Sequence, residues 1–422
     1  MCFLLGRMGI IDQKRFLTTF VLLLAISSTM ADPVPVSKSF SKFAIQLYQQ
    51  CVAEKGGNVI LSPFSVQSAL SLALMGATGE TAREMSTVMG YGTQDRNAIA
   101  DNFATLLSTY KDSPLLKIAN KIYVQNKYHV KAQFNDIATK KFNSEAQSLN
   151  FAQNVESAKT INTWVEDKTN DKIKDLIPAD ALNEDTRMVL VNAIYFKGLW
   201  ENKFKPEDTK KMPFHVTKTS EVDVDMMYTK ANFKYGILED LNAVALEMPY
   251  KDSDLSMLII LPNEIDGLPA LEAALGNKDL SEITQNLYKT EVMVYLPKFK
   301  IEYEIELKNV LSKMGMAQMF SNGAEFKDLL EEEEPLKVSK VIHKAFIEVN
   351  EEGAEAAAAT GKSQIKFILM HFRPTARTPC FISVFIYYGA VAFGSCVFSS
   401  FEKKNTDFPK KRIHLLCSIL HF

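Results

Sequence analysis

Apolar residues recur at helical spacing at Phe40, Phe43, Ala44, Leu47 and Tyr48, which predicts an amphipathic helix that opens at Ser37 and ends near Gly56-Gly57. A second helix follows, with Ser62 placed to cap its N-terminus and Pro63 at its first position. Further helical stretches read at 70–75, 81–89 and 97–110. The period then changes: Leu116-Lys117-Ile118-Ala119-Asn120-Lys121-Ile122-Tyr123-Val124 alternates as a strand does. Ile161, Trp164 and Val165 share one helical face before a turn at Pro178, and 188–200 is an apolar run in which Asn192 interrupts a buried strand. A buried Asn without hydrogen bonds costs roughly 1–3 kcal/mol, so this one needs partners. Alternating strands at 233–237, 243–249, 255–262 and 292–301 build antiparallel sheet, and Leu307, Leu311, Met314 and Phe320 outline a helix terminated by Gly315.

One stretch breaks this order. Phe346, Ile347 and Val349 continue a strand that stops at Glu351-Glu352-Gly353; Ala354 and Glu355 then lead into Ala356, Ala357, Ala358 and Ala359, followed by Thr360 and Gly361. A short Ala-rich helix is one reading, since alanine is the best helix former, but the flanking glycines leave too few residues for a helix stable without packing. The other reading is a strand kept small enough to enter a closely packed sheet. At period two, Ala354, Ala356, Ala358 and Thr360 share an uncharged face, with Glu355 on the opposite one. A segment that reads as an exposed loop and carries such a face is a candidate for conditional strand insertion.

These residues resemble the hinge of a serpin reactive-centre loop, from Glu351-Glu352-Gly353-Ala354-Glu355 through the four alanines to Thr360. The run Asn192-Ala-Ile-Tyr-Phe-Lys-Gly-Leu-Trp200 is similar to the third strand of the serpin main sheet and the "breach" at its end, and Asn58, Ser62 and Ser65 stand where serpins place the "shutter" beneath that sheet. The resemblance covers roughly 37–397. It implies an α+β serpin fold of inhibitory, arthropod-like type, with a large, mostly antiparallel central sheet A, two smaller sheets, about eight to nine helices and an exposed reactive-centre loop. That loop falls at about 350–372. Asn192 would support the shutter, and Trp200 would mark the end of the sheet that the loop first enters.

Counted from Gly353, the family's spacing puts the reactive bond at Phe367–Ile368. A chymotrypsin-like protease, with a deep apolar primary pocket, would accept Phe367; engagement one position earlier would present Lys366 to a trypsin-like one. The implied mechanism is suicide inhibition. The protease's serine attacks the Phe367 carbonyl to form an acyl-enzyme, the freed hinge inserts as a new strand, and the attached protease is distorted before water releases it. The C-terminal part departs from the family's pattern. The polar turn between the stretch Thr378–Ile386 and the final strand from Tyr387 is shortened, Ser395 stands where arginine is usual, Arg377 replaces an acid, and the basic tail 400–422 has no equivalent.

Composition narrows the partner. With 422 residues, 47% of them hydrophobic and 23% charged, and a net charge of −2, the chain is globular and gives no reason to expect nucleic acid. Lys127, Lys131, Lys140 and Lys141 are scattered among acids and aromatics, as on a solvated face, so no glycosaminoglycan site is indicated. Lys14 and Arg15 precede an apolar run and small residues ending at Ala31, which predicts a signal peptide over 1–31, a secreted chain and a single serpin domain at 32–399. The cysteine spacings match no metal motif, and no cofactor is implied. Nucleophile elbows, zinc-protease motifs and phosphate or dinucleotide loops are absent, so the chain does not read as an enzyme. The reading is a secreted, monomeric serine-protease inhibitor. Its rivals are a non-inhibitory serpin acting as a binding or carrier protein, against which the uncharged Ala354 and the alanine run speak, and an unrelated hydrolase.

Overall fold

The computed structural model describes residues 36–354 apart from 56, 93, 111–114, 218, 277, 279, 333 and 334, and beyond them 370–371, 379–380, 384–386 and 418–419. The chain divides into two units, Met1–Val36 and Ser37–Phe422. Of the first only Val36 is described, so the expected signal peptide lies outside the described residues.

Helix α1 (Val36–Lys55) and the short strand β1 (Ile60–Leu61) lead into α2 (Pro63–Gly76). Local chemistry starts α2 as the sequence suggests: the Ser62 hydroxyl accepts the Ser65 N–H at 3.2 Å and Pro63 occupies the first helical position. Every residue of α2 is buried, which makes it the axle of the molecule rather than a surface helix. There follow α3 (Gly79–Val88), α4 (Arg96–Tyr110), β2 (Leu116–Gln125), α5 (Ala132–Phe142), β3 (Ala146–Leu149), α6 (Asn154–Lys168), β4 (Met188–Phe196) and β5 (Gly198–Leu199). The next stretch is mainly strand: β6 (Lys210–Thr217), β7 (Ser220–Leu238), β8 (Ala243–Pro249) and β9 (Ser256–Pro262). After α7 (Leu268–Leu275) and α8 (Leu280–Gln285) come β10 (Tyr288–Pro297), β11 (Phe299–Glu306), α9 (Lys308–Lys313), β12 (Lys340–Val349) and β13 (Gly353–Ala354). Four short strands complete the described residues: β14 (Met370–His371), β15 (Pro379–Cys380), β16 (Val384–Ile386) and β17 (Ser418–Ile419). Nine α-helices and mixed sheets among the described residues match the expected α+β class.

The main sheet has seven strands in the order β3-β2-β4-β12-β13-β5, with β11 alongside β12. Most pairings are antiparallel; β4 with β12, and β2 with β3, are parallel. All nine residues of β4 are buried, as a parallel strand covered on both faces requires. Alternation divides them. Val189, Val191, Ala193 and Tyr195 join Ala119 and Tyr123 of β2 and Ile342 and Phe346 of β12 in a core against Ile161 and Val165 of α6. Each large aliphatic side chain buried there stabilises the fold by about 1.5–3 kcal/mol relative to exposure. The opposite face, which carries Asn192, turns to α2.

The 19-residue strand β7 pairs with β6 at one end, β8 at the other and β10 along its opposite edge. These strands, with β9 beside β8, form one five-stranded antiparallel sheet. A three-stranded sheet β1-β16-β17 and the pair β14-β15 make up the rest.

Candidate functional site

β4 and β12 stay paired from Val189↔Lys340 to Tyr195↔Phe346 and then diverge. The gap beyond is filled by β13. Ala354 pairs with Val349 of β12 on one side and Gly198 of β5 on the other, and Gly353 pairs with Leu199. Ala354 has no exposed surface at all, so the first residue of the small face already lies inside the sheet.

The turn that delivers β13 is held by side chains. The Asn350 amide oxygen accepts the N–H groups of Glu352 at 3.0 Å and Gly353 at 3.3 Å, an Asx turn, while the Asn350 N–H donates to the Gly353 carbonyl at 2.9 Å. Trp200 reaches the same turn twice, donating its indole N–H to the Asn350 carbonyl at 3.0 Å and its backbone N–H to the Glu352 carbonyl at 2.9 Å. Its ring stacks on Tyr250 with centroids 4.8 Å apart and planes 11° apart.

Glu351 is buried and accepts from Lys298 Nζ and Thr209 Oγ1, both at 2.9 Å. Burial pushes its carboxyl pKa upward, but the Lys298, backbone and Thr209 hydrogen bonds, with the Lys298 charge, outweigh this and hold it below the ordinary carboxylate value. Glu352 pairs with Lys203 at the exposed rim, where such pairs contribute little.

Deeper in the sheet, Asn120 of β2, Asn192 of β4 and His343 of β12 are register partners on three adjacent strands. The Asn192 amide nitrogen donates to Ser65 Oγ and to the Asn120 side-chain oxygen. Its oxygen accepts from His343 Nδ1 at 2.5 Å. The Ser62 N–H points at His343 Nε2 at 3.2 Å, which makes Nε2 the acceptor and assigns the proton to Nδ1. Burial pushes the His343 pKa down to about 3, so the ring is neutral at ordinary pH. Every donor and acceptor of the Asn192 side chain is used in this fully buried position, and it ties β2, β4, β12 and α2 together.

Of the residues singled out by sequence, Ser62, Ser65 and Asn192 meet in this cluster, and Trp200 stands at the hinge. Asn58 lies in the bend before β1, half-buried and outside the cluster. Glu351, Glu352, Gly353 and Ala354 are placed as described, whereas Glu355, Ala356, Ala357, Ala358, Ala359, Thr360, Lys366, Phe367 and Ile368 lie outside the described residues. His343 and Asn120, which complete the cluster, are not among the residues that the sequence singles out. The signal for Asn120 was its parity: it shares the period-two face of Leu116, Ile118, Ile122 and Val124, and so is a polar residue on an apolar face.

Known proteins place these features. The family model described as Serpin (serine protease inhibitor) matches residues 38–382, ending within the stretch where the sequence departs from the family's pattern. Among curated relatives, Antichymotrypsin-2 of Bombyx mori is 42% identical over 321 residues, 75% of this chain and 85% of that protein. Antitrypsin of Bombyx mori is 39% identical over 367 residues, 86% of this chain and 93% of that protein. The solved structure described as cleaved Serpin 42Da superposes with a TM-score of 0.73 at 49% identity, over 75% of this chain and 86% of that one. The chain belongs to the serpin family.

Proposed function

We propose that the chain is a secreted inhibitor of a serine protease and is consumed as a suicide substrate, with Phe367–Ile368 as the bond the protease attacks. The observation that carries this reading is the position of Ala354, paired on both sides at the point where β4 and β12 diverge. Continuing from Ala354 at period two, Ala356, Ala358 and Thr360 take the same inward parity, and none of them carries a charge into the sheet. Insertion would replace the seven β4–β12 register pairs with pairing on both edges of a new strand. Each added backbone hydrogen bond contributes about 0.5–1.5 kcal/mol, so strand addition can drive the displacement of an acylated protease.

The names of the two Bombyx mori relatives indicate different protease preferences, so similarity does not choose between them. Phe367 does, by presenting a large apolar side chain to a chymotrypsin-like primary pocket, with Lys366 as the trypsin-like alternative. Secretion follows from the signal-peptide pattern over 1–31, with a single serpin domain at 32–399 acting as a monomer and 400–422 as a basic appendage.

The test is to mix residues 32–422 with chymotrypsin and with trypsin, resolve the products on denaturing gels and sequence the released C-terminal peptide. A band at the summed mass with chymotrypsin and a new N-terminus at Ile368 are expected. Cleavage of the loop without that band would shift the assignment to a non-inhibitory serpin.

A further inference from the structure

The chain contains a single Asn-Gly pair, Asn322-Gly323, and both residues are exposed. They form the centre of a turn between the helical turn Gln318–Phe320 and the approach to β12, closed by the Ala324 N–H on the Ser321 carbonyl at a long 3.3 Å. Neither central residue has a positive φ, so the turn has type I character and does not require glycine. What glycine provides is access. A Cβ at position 323 would lie 3.1 Å from Gln318 Nε2 and 3.6 Å from Ser321 Oγ, and its absence leaves the backbone nitrogen uncrowded beside the Asn322 side chain.

Three contacts prepare this pair for reaction. Lys337 donates from Nζ to Asn322 Oδ1 at 2.7 Å and makes no ion pair among the described residues. Its charge draws electron density from Asn322 Cγ and would hold negative charge on the oxygen. The Gly323 N–H donates to Ser321 Oγ at 3.0 Å rather than to a carbonyl, and a hydroxyl can rotate to donate back to a nitrogen that has lost its proton. Gln318 Nε2 donates to the Gly323 carbonyl at 2.8 Å, which holds that residue beside Asn322. A nucleophile, a polarised carbonyl and an oxyanion partner are thus gathered at one turn.

We propose that Asn322 is a self-modification site, converted to aspartate and isoaspartate through a cyclic imide, with Lys337 stabilising the oxyanion. The Gly323 nitrogen gives up its proton and attacks Asn322 Cγ. The new N–Cγ bond forms, the Cγ–Nδ2 bond breaks, and ammonia leaves carrying the proton. One solvent water then opens the imide at either of its two carbonyls. Opening at the backbone carbonyl gives isoaspartate and opening at the side-chain carbonyl gives aspartate. The balance is amide plus water to acid plus ammonia, with no oxidant, reductant or cofactor. The product carries one more negative charge, which faces Lys337. In isoaspartate the main chain runs through the side-chain carbon, so the lengthened turn cannot keep both the Ala324–Ser321 closure and the Gln318 grip on Gly323. Next to Lys337, Val338 donates its N–H to the Met319 carbonyl at 2.9 Å and Ser339 donates to the Met188 carbonyl at 2.8 Å. The turn therefore supports the chain entering β12, and isoaspartate formation loosens that entry. None of this depends on the inhibitory reading.

The experiment incubates the full chain at neutral pH and body temperature, in buffer and in urea, in water enriched in heavy oxygen, and follows the peptide containing Asn322 by mass spectrometry. The wild type should gain one solvent oxygen at Asn322, with isoaspartate, detected by its enzymatic methylation, as well as aspartate among the products. G323A should react at least tenfold more slowly. K337M should slow the folded chain several-fold and leave the rate in urea unchanged, whereas K337R should stay within about twofold of wild type. Hydrogen exchange of the purified isoaspartate form should be faster than wild type across the peptide that spans 337–343. An amide retained in the folded chain while the urea-unfolded chain converts, or aspartate with no isoaspartate, would overturn the site. A K337M rate equal to or above wild type in the folded chain would overturn the role of Lys337. Unaltered exchange across 337–343 in the isoaspartate form would overturn the coupling to β12. None of these readouts requires a protease, so failure of the inhibitory reading would appear separately, as absence of the covalent band.

Discussion

A Cβ placed on Gly353 would lie 1.9 Å from the carbonyl oxygen of Gly198 and 2.7 Å from Leu199 Cα, so the two strands meet there at a distance that only glycine allows. Those neighbours are backbone and cannot rotate away. Gly353→Val is therefore expected to push β13 out of its slot, with a loss of about 1–3 kcal/mol as in other overpacked sites. Urea unfolding measures the loss, and faster exchange of the amides at 353–354 would locate it. An unchanged midpoint would show that the close approach carries no weight.

Removing the Asn192 side chain leaves Ser65, Asn120 and His343 without their partner in a fully buried site. Each orphaned group costs about 1–3 kcal/mol, so Asn192→Ala should destabilise by roughly 3 kcal/mol or more. It should also let β4 part from β12 more readily, and mild heating should then produce aggregates sooner than in the wild type. Trp200→Phe, which loses the single indole hydrogen bond to the Asn350 carbonyl but keeps a ring against Tyr250, should cost only about 0.5–1.5 kcal/mol in the same assay.

His343 sets a pH dependence. The unfolded chain binds a proton on this residue near pH 6.5, whereas the folded chain does so only near pH 3. Between these values the unfolded state holds the extra proton, so stability is full above about pH 6.5 and falls as pH drops toward 3, by up to about 1.4 kcal/mol per pH unit. Protonation also converts Nε2 into a donor facing the Ser62 N–H. The check is the slope of unfolding free energy against pH from 4 to 6 in the wild type and in His343→Gln, which cannot titrate. The variant's slope should be shallower by about one proton; identical slopes would remove His343 as the cause.

What could be read from the sequence was chemistry confined to a few neighbouring residues. The cap of α2 depends on Ser62, Pro63 and Ser65 alone, and the small face from Ala354 onward needs only period two. The run 188–200 identified a buried strand because nearly every residue in it is apolar. The polar cluster was only partly legible because its bonds are made across long separations: Asn120 and Asn192 are 72 residues apart, Asn192 and His343 are 151 apart, and Ser62 and His343 are 281 apart. A lone histidine in an apolar strand looks the same in sequence whether it is idle or holds two strands together. Asn58, suggested by family position, makes no side-chain hydrogen bond to this cluster among the described residues, and the continuation of β7 over 19 residues has no local signature.

Ala356→Arg tests the parity of the insertion directly. If the strand continues inward from Ala354, the guanidinium would have to enter the sheet interior unpaired, which costs several kcal/mol. Chymotrypsin should still cleave at Phe367, but the covalent band should fall sharply and most of the variant should appear as cleaved, released chain. Glu355→Arg, on the opposite face, should retain more of the band. Equal behaviour of the two variants would refute the period-two assignment.

The most direct measurement compares the unfolding midpoint of the intact chain with that of the same chain nicked once in the reactive loop. If residues beyond Ala354 enter between β4 and β12 on cleavage, the new strand adds backbone hydrogen bonds on both edges, and the nicked protein should melt about 10 °C or more above the intact one. A nicked chain that melts at or below the intact midpoint would show that the loop stays outside the sheet, and would contradict strand insertion.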